Sequence, residues 1–327
     1  MRKTFIGLVM ILLLLSCAVA CAEVCFRPAE FIYAGLRGRD VNVMFDRTRS
    51  SAEETLCVLD EQDQVLGQRR VYAGEPYGVI SVSVPQDAPA MQTLRLMLLR
   101  NGNEELQGTF LLAADTKELD GVRQGPTDQK KIAITFDAAY GPGKLNQLLN
   151  VLDKYGAKCT FFLQGDFVTG HPDWTAEIAR RGHELGNHTM HHPDDMREIG
   201  DEQIYWEISQ CNEAIEAITG KPVTLYRPPS GYYSYRDRAI GRGLGCEMIL
   251  WTFDSMDGFL ETSTRETVWT ALTQKSEPGA IILMHIYGYY TPDVLDEYLP
   301  LMQAQGYEFV TVSDLLGLSA GEENPEQ

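Results

Sequence analysis

KIAITFDAAYG, Lys131–Gly141, is a short apolar run that ends on one carboxylate and then turns. The next segment, KLNQLLNVLDKYG, places Leu145, Leu148, Leu149 and Leu152 on one helical face. A strand handed directly to an amphipathic helix is the opening unit of a parallel sheet. Asp137 then sits at the C-terminal end of its strand, where α/β proteins keep their chemistry. The stretch raises two questions: which groups join Asp137, and whether Ala138 stands where a second working side chain belongs.

The same rhythm continues downstream. KCTFFLQG precedes a helix around PDWTAEIARRG, HELGNH is short and extended, and a long helix follows with Ile204, Ile208, Cys211, Ile215 and Ile218 at spacings of four and three. TLYRPP, CEMILWTF, AIILMH and YEFVTV read as further strands, with helices near 236–244, 264–276 and 293–305. Seven strand-like runs alternating with helices predict an α/β architecture built on a parallel sheet or a barrel over residues 130–318. Upstream, residues 23–117 alternate apolar and polar positions. TLCVLDEQDQVLGQRRVY and TLRLMLLRNGNEELQGTFLLA read as hairpins, the second turning at Asn101-Gly102, and GVISVSV as another strand. That region carries no histidine and no helical stripe, and a small β-sandwich is expected. Residues 118–129 are polar with Gly and Pro and read as a linker, and 319–327 as a frayed tail.

At 327 residues the chain is long enough for two domains. A formal charge of −18 argues against nucleic acid and against electrostatic docking on anionic lipid. Residues 1–22 carry a basic start (MRKTF), an apolar run (IGLVMILLLL) and small residues ending in Ala20-Cys21-Ala22, the pattern of a cleaved signal peptide. Export is therefore expected. Cys21 and Cys17 are alternative lipid acceptors, although neither lies in a good lipoprotein box, so membrane association would come only through such an anchor. Cys25 and Cys57 fall in the same region and are a possible pair, whereas Cys159, Cys211 and Cys246 lie in apolar segments and read as buried thiols.

All six histidines lie in the second region, three of them within NHTMHHP. His188 and His192 are four apart, so one helical turn would aim both rings the same way and form a metal half-site for zinc or a similar divalent ion. A chance pair on a polar loop is the competing reading. His191 reads as incidental, and His183 and His171 as structural or solvent-facing. Arg227 closes TLYRPP, Asp254 and Asp257 follow ILWTF, and His285 closes IILMH. A parallel barrel would bring this set to one rim.

TFDAAYG, HTMHHP, RPPSG, DSMDG and LMH, in that order, resemble the five motifs of the polysaccharide deacetylase domain (NodB homology, carbohydrate esterase family 4), over about residues 130–316. Within it the motifs look most like the branch of peptidoglycan deacetylases that includes muramic δ-lactam-forming enzymes. The resemblance implies a distorted (β/α)7 barrel preceded by the small β-sandwich, an N-acetylated cell-wall glycan as substrate, and a divalent metal, by expectation Zn2+. It implies Asp137 as general base, Arg227 as the group that holds it, His188 and His192 as metal ligands, His285 as general acid oriented by Asp254, and the backbone at Ser230 as oxyanion donor. Ser230, Gly231, Tyr232 and Tyr140 would meet substrate. The rim tyrosines read equally as sugar-stacking faces and as loop packing, and Trp251 and Trp269 as core. The chain departs from the pattern at Ala138, where most members carry a second Asp as third metal ligand. That loss predicts a weakened site, with water, substrate, Asp194 or Asp195 filling the position. Two alternatives stand beside the deacetylase: a glycan-binding protein derived from one, and a metal hydrolase of small amides or esters.

Overall fold

Period-two alternation organises the upstream strands of the computed structural model, which describes residues 26–47, 53–73, 75–100, 103–116, 120–259 and 261–318. The strands there are β1 (Phe26–Pro28), β2 (Ile32–Leu36), β3 (Asp40–Arg47), β4 (Glu54–Leu59), β5 (Val65–Val71), β6 (Tyr77–Ser83), β7 (Met91–Arg100) and β8 (Asn103–Asp115). The chain divides into two compact units. The first comprises the described residues up to Phe31 together with 42–83 and 93–110; the second comprises 32–41, 84–92 and everything from Leu111 onward.

In the first unit, β6 alternates strictly between exposed and buried side chains, as GVISVSV requires. β1 and β3 are antiparallel, and β6 joins β3 in the same sheet. β4 pairs antiparallel with β5, through a bulge at Val58/Leu59, and with β7. Phe26, Phe45, Leu56, Val58, Ile80, Val82, Leu96 and Leu98 form the filling of this sandwich, with Phe26 edge-on to Phe45 at 5.8 Å. The turn expected at Asn101-Gly102 lies outside the described residues, as do the leader, Cys17, Cys21, Cys25 and the tail. Cys57, with Cys159, Cys211 and Cys246, is a buried free thiol.

The second unit is a curled parallel sheet clothed by helices. Its elements are β9 (Lys131–Ala138), α1 (Leu145–Lys154), β10 (Thr160–Leu163), α2 (Gly165–Gly170), α3 (Pro172–Arg180), β11 (Glu184–Asn187), α4 (Asp201–Thr219), β12 (Leu225–Tyr226), α5 (Tyr235–Gly243), β13 (Glu247–Met248), β14 (Phe253–Asp254), α6 (Arg265–Lys275), β15 (Ile281–His285), α7 (Thr291–Ala304), β16 (Glu308–Phe309) and α8 (Val312–Leu316). The strand order is β13-β12-β11-β10-β9-β15-β14, with β16 against the start of β9. The predicted leucine face of α1 is the buried one. Of the stripe read on α4, Ile204, Ile208, Cys211 and Ile215 are buried. β2 also belongs to this unit, parallel to the last residues of β8 from Ile32↔Leu111 to Leu36↔Asp115. Among the described residues no helix is long and apolar enough to cross a membrane.

Two expectations need correction. CEMILWTF is not one strand: it breaks into β13 and β14, so the sheet has eight strands rather than seven. The break occurs because the carbonyls of Ile249 and Leu250 turn inward to accept from Arg227, at 3.3 and 2.9 Å. Nor is the stretch around residue 122 a free linker. Val122 bridges to Ile249 in parallel and Gln124 to Ala280 antiparallel, so this segment spans the gap between β13 and β15.

Inside the barrel, Ala133, Phe162, Leu225, Ile249 and Ile281 pack on Val312 and Leu315, which seal one end. Alternate residues of a strand share a face, so Ala133, Thr135 and Asp137 all look inward, as do Ile281, Leu283 and His285. The register then sets Asp137 beside His285 at the open end.

Candidate active site

Asp137 is buried at the strand end, and its two oxygens have different neighbours. Oδ1 accepts from Arg227 Nη1 at 2.8 Å, and Oδ2 lies 3.5 Å from His188 Nε2. Burial alone would raise its pKa. The neighbouring His188, Arg227 and His285, with the arginine hydrogen bond, outweigh burial and hold the carboxyl below its ordinary value. Arg227 has no exposed surface, yet each of its nitrogens is engaged: Nη1 on Asp137, Nη2 on Leu250 O, Nε on Ile249 O. Its guanidinium lies 4.0 Å from the Phe162 ring centre. A buried charge so fully bonded is tolerated in the interior, and it keeps the adjacent carboxylate ionised.

His188 follows β11 directly. Its Nδ1–H donates to Arg227 O at 2.9 Å, which fixes the tautomer and leaves the Nε2 lone pair facing Asp137. Burial brings its pKa down to about 4, so the ring is neutral, the form that binds metal. The segment 188–192 is not the helical turn expected from the spacing of four. It is a tight turn with Thr189 at φ 65° and His192 at φ 56°, and this turn brings the two ring centres to 5.0 Å. Asn187 Oδ1 accepts from Thr189 N at 2.7 Å, and Thr189 Oγ1 accepts from His192 N at 3.0 Å. α4 anchors the turn from outside: Glu207 O accepts from Met190 N, and its carboxylate accepts from His191 N and Nδ1 at 2.8 and 3.1 Å. The His191 ring stacks on Trp206 at 5.0 Å, so His191 is a structural anchor rather than incidental.

Two imidazoles, one of them with its tautomer fixed, suit a divalent ion. Ala138 is buried and offers no ligand atom, and among the described residues no group of three His, Cys, Asp or Glu side chains is assembled to hold a metal. Of the two acids proposed as substitutes, Asp195 pairs with Arg197 through both oxygens, and Asp194 lies exposed. The centre is therefore a two-histidine half-site beside an arginine-bound carboxylate.

His285 closes β15. The expectation that Asp254 orients it is wrong: the acid is Asp257. His285 Nδ1–H donates to Asp257 Oδ1 at 2.9 Å, while Oδ2 accepts from His285 N at 3.0 Å and from Thr291 Oγ1 at 2.6 Å. Asp254 instead accepts from Met256 N at 2.6 Å. The chain reverses at Met256, φ 68°, and returns the second acid of DSMDG to the imidazole. Burial pushes the His285 pKa down, but its hydrogen bond to Asp257 and the charges of Asp257, Asp137 and Asp254 more than offset this and leave it raised. Gly258 makes room for the ring, since a Cβ there would lie 2.6 Å from His285 Cε1.

The segment after Arg227 curls tightly, with Ser230 at φ 55° and Gly231 at φ 70°, against the Trp251 ring. Trp251 and Trp269 are half-buried rather than core. Tyr140 and Tyr232 are exposed; Tyr140 meets Tyr287 edge-on at 5.3 Å, the Arg197 guanidinium lies 4.7 Å from the Tyr232 ring centre, and the Tyr287 ring is 5.0 Å from His285. His183 is structural, accepting from Cys159 N.

The chain has known relatives. The sequence pattern of the polysaccharide deacetylase family matches residues 124–249. Peptidoglycan-N-acetylmuramic acid deacetylase PdaA of Bacillus subtilis is 32% identical over 202 residues, 61% of this chain and 76% of that protein. The chain belongs to the polysaccharide deacetylase family. The solved structure of PdaA, a family 4 carbohydrate esterase, matches at a TM-score of 0.57 and 30% identity over 62% of this chain and 86% of that one. Peptidoglycan-N-acetylglucosamine deacetylase of Bacillus cereus is 32% identical over 194 residues, 58% of this chain and 90% of that protein. A mutant of BA3943 from Bacillus anthracis, a family pseudoenzyme with restored activity, matches at a TM-score of 0.57 and 25% identity over 68% of this chain and 86% of that one. Membership makes the chain a hydrolase of the carbon–nitrogen bond in N-acetyl groups, in a family whose deacetylases are generally metal-dependent.

Asp257 was legible as a strand-end acid but not as the partner of His285. Glu207 and Gly258 escaped a reading by motif, because each acts on a neighbour distant in sequence, and Asn187 because its bond to Thr189 N exists only once the turn has formed.

Proposed function

We propose that the chain is an exported N-deacetylase of peptidoglycan, dependent on a divalent metal. The observation that carries this reading is the juxtaposition, on adjacent strands, of an arginine-held carboxylate facing a neutral imidazole and a histidine braced by a buried acid. A general base and a general acid side by side are what amide hydrolysis requires.

Asp137, kept ionised by Arg227, takes the proton from the attacking water. The Ser230 amide donates to the developing oxyanion; removal of such a donor typically costs about 10²–10³ in rate. His285, protonated on Nδ1 against Asp257 and charged through Nε2, gives a proton to the departing sugar amine. Tyr140 and Tyr232 offer aromatic faces to the sugar. A divalent ion held by His188 and His192, zinc by the chemistry of its donors, would polarise the acetyl carbonyl and make water more acidic. The leader-like residues 1–22 support export, with Cys21 as a lipid acceptor in place of free secretion. The relatives PdaA and the Bacillus cereus enzyme are deacetylases of peptidoglycan N-acetylmuramic acid and N-acetylglucosamine respectively, and both sugars belong in the test.

Ala138 favours a second reading, a deacetylase-like protein that grips glycan without turning it over. Mass spectrometry of muropeptides before and after treatment, with metal analysis of the same protein, separates the two. We expect one acetyl group to be lost from each sugar acted on, abolished by Asp137→Asn, and loss of bound metal in His188→Ala. Muropeptides left intact by a metal-loaded wild-type protein would refute catalysis and leave the binding reading.

A further inference from the structure

One fully buried acid of the second unit takes no part in the reaction set out above. Asp237 lies in the first turn of α5. Its Oδ1 accepts twice from Ser234, from N–H at 2.6 Å and from Oγ–H at 3.0 Å, and Ser234 Oγ accepts from Arg236 N at 3.2 Å. Its other oxygen, Oδ2, is buried without a well-formed hydrogen bond, and so is the hydroxyl of Tyr226. These two orphans face one another. After burial, the charge of Asp237 and its hydrogen bond are the main influences holding the Tyr226 proton in place. α5 is seated on the same ring, since a Cβ at Gly241 would lie 3.4 Å from Tyr226 Cδ1. Burial raises the Asp237 carboxyl to about 6, which shows how dry its surroundings are.

Tyr226 and Ser234 are the two ends of the segment that carries Arg227, Ser230, Gly231 and Tyr232. Within it Ser230 holds a left-handed conformation that a residue with a Cβ adopts only when its surroundings enforce it. A single carboxyl bonded to Ser234 at one end of the segment, with its free oxygen beside the Tyr226 hydroxyl at the other, supplies that enforcement. We propose that Asp237 is a positioning residue for deacetylation: by tying the Tyr226 strand end to the Ser234 helix start, it fixes the 227–234 loop and so places the Ser230 amide and the Tyr232 ring. The inference rests on the deacetylase reading above.

The test measures acetate release and hydrogen–deuterium exchange of residues 228–234 in the wild type, Asp237→Ala, Asp237→Asn and Tyr226→Phe. In Asp237→Ala we expect kcat to fall about 10²-fold, with KM within about threefold, because a displaced donor spoils the transition state more than binding. Exchange in the segment should speed up about tenfold or more as it opens locally. Asp237→Asn keeps an acceptor for Ser234 and a donor for Tyr226, and should return kcat to within about threefold of wild type. Tyr226→Phe loses one hydroxyl and should give a smaller fall, about threefold, with faster exchange in the same segment. Wild-type kcat and exchange in Asp237→Ala would overturn the proposal. So would an Asp237→Asn variant as slow as Asp237→Ala. If Asp237→Ala fails to fold, unchanged exchange in Tyr226→Phe overturns it. A wild-type protein that releases no acetate defeats the deacetylase reading instead, and the exchange data alone then decide whether Asp237 clamps the loop.

Discussion

Asp257 has no exposed surface and accepts from His285 Nδ1, His285 N and Thr291 Oγ1. Its partner His285 must carry a proton to act as an acid, and a raised pKa keeps that proton on to higher pH. Asp257→Asn removes the charge that raises it, so the alkaline limb of the kcat/KM profile should move to lower pH. Asp254→Asn should leave that limb nearly in place; an equal shift in both variants would return the orienting role to Asp254. DSMDG displayed both acids three residues apart, and nothing in their types separates them. The turn at Met256 makes the choice, and a left-handed methionine is not encoded by residue type. Ala138 is the opposite case. Its lack of a ligand atom was plain from the sequence, and among the described residues no group of three ligating side chains makes up for it.

At the scale of elements, the site is a set of strand ends and the turns that leave them. The strands were legible because apolar runs are local signals: Asp137 and His285 were both read correctly as strand-terminal. The turn at 188–192 was not, because a spacing of four is helical only if the backbone is helical. Here Asn187, Thr189 and Glu207 hold a left-handed turn that achieves the same approach of two rings. The splitting of β13 from β14 was equally hidden, since it depends on Arg227 reaching the carbonyls of Ile249 and Leu250. Close approach of elements gives a further test at Gly258. A Cβ there would lie 2.6 Å from both Cε1 and Nδ1 of His285, whose ring Asp257 holds in place. Gly258→Ala should therefore displace the imidazole and lower kcat about 10²-fold, since small misplacements at a reacting group are costly. Retained activity in Gly258→Ala would mean that the imidazole has freedom to move.

For the whole molecule, buried histidines tie stability to pH. Burial lowers both His183 and His188 from 6.5 to about 4. A folded-state pKa below the unfolded one gives stability that is fully present above 6.5 and is lost as pH falls through 4, about 3 kcal/mol for each group. Asp137, also lowered, adds to the loss below its ordinary carboxylate range. Asp237 acts the other way: raised from 3.8 to about 6, its contribution is full below 3.8 and is lost as pH rises through 6, again about 3 kcal/mol. Two histidines outweigh one acid. Metal-free protein should thus melt several degrees lower at pH 4 than at pH 6.5. His183→Gln, which keeps an acceptor for Cys159 N, should remove most of that difference; a variant as pH-sensitive as the wild type would clear His183 of the effect.

The sequence by itself determined the two rhythms of the chain, the strand-terminal positions of Asp137 and His285, the histidine pair and the missing acid at 138, because hydrophobic period and residue type are local properties. Only the tertiary structure decided that Asp257 braces His285, that Arg227 O sets the tautomer of His188, and that Asp137 and His285 stand side by side. Those outcomes depend on strand register and on left-handed turns held by partners distant in the chain, and such contacts exist only once the backbone has closed on itself.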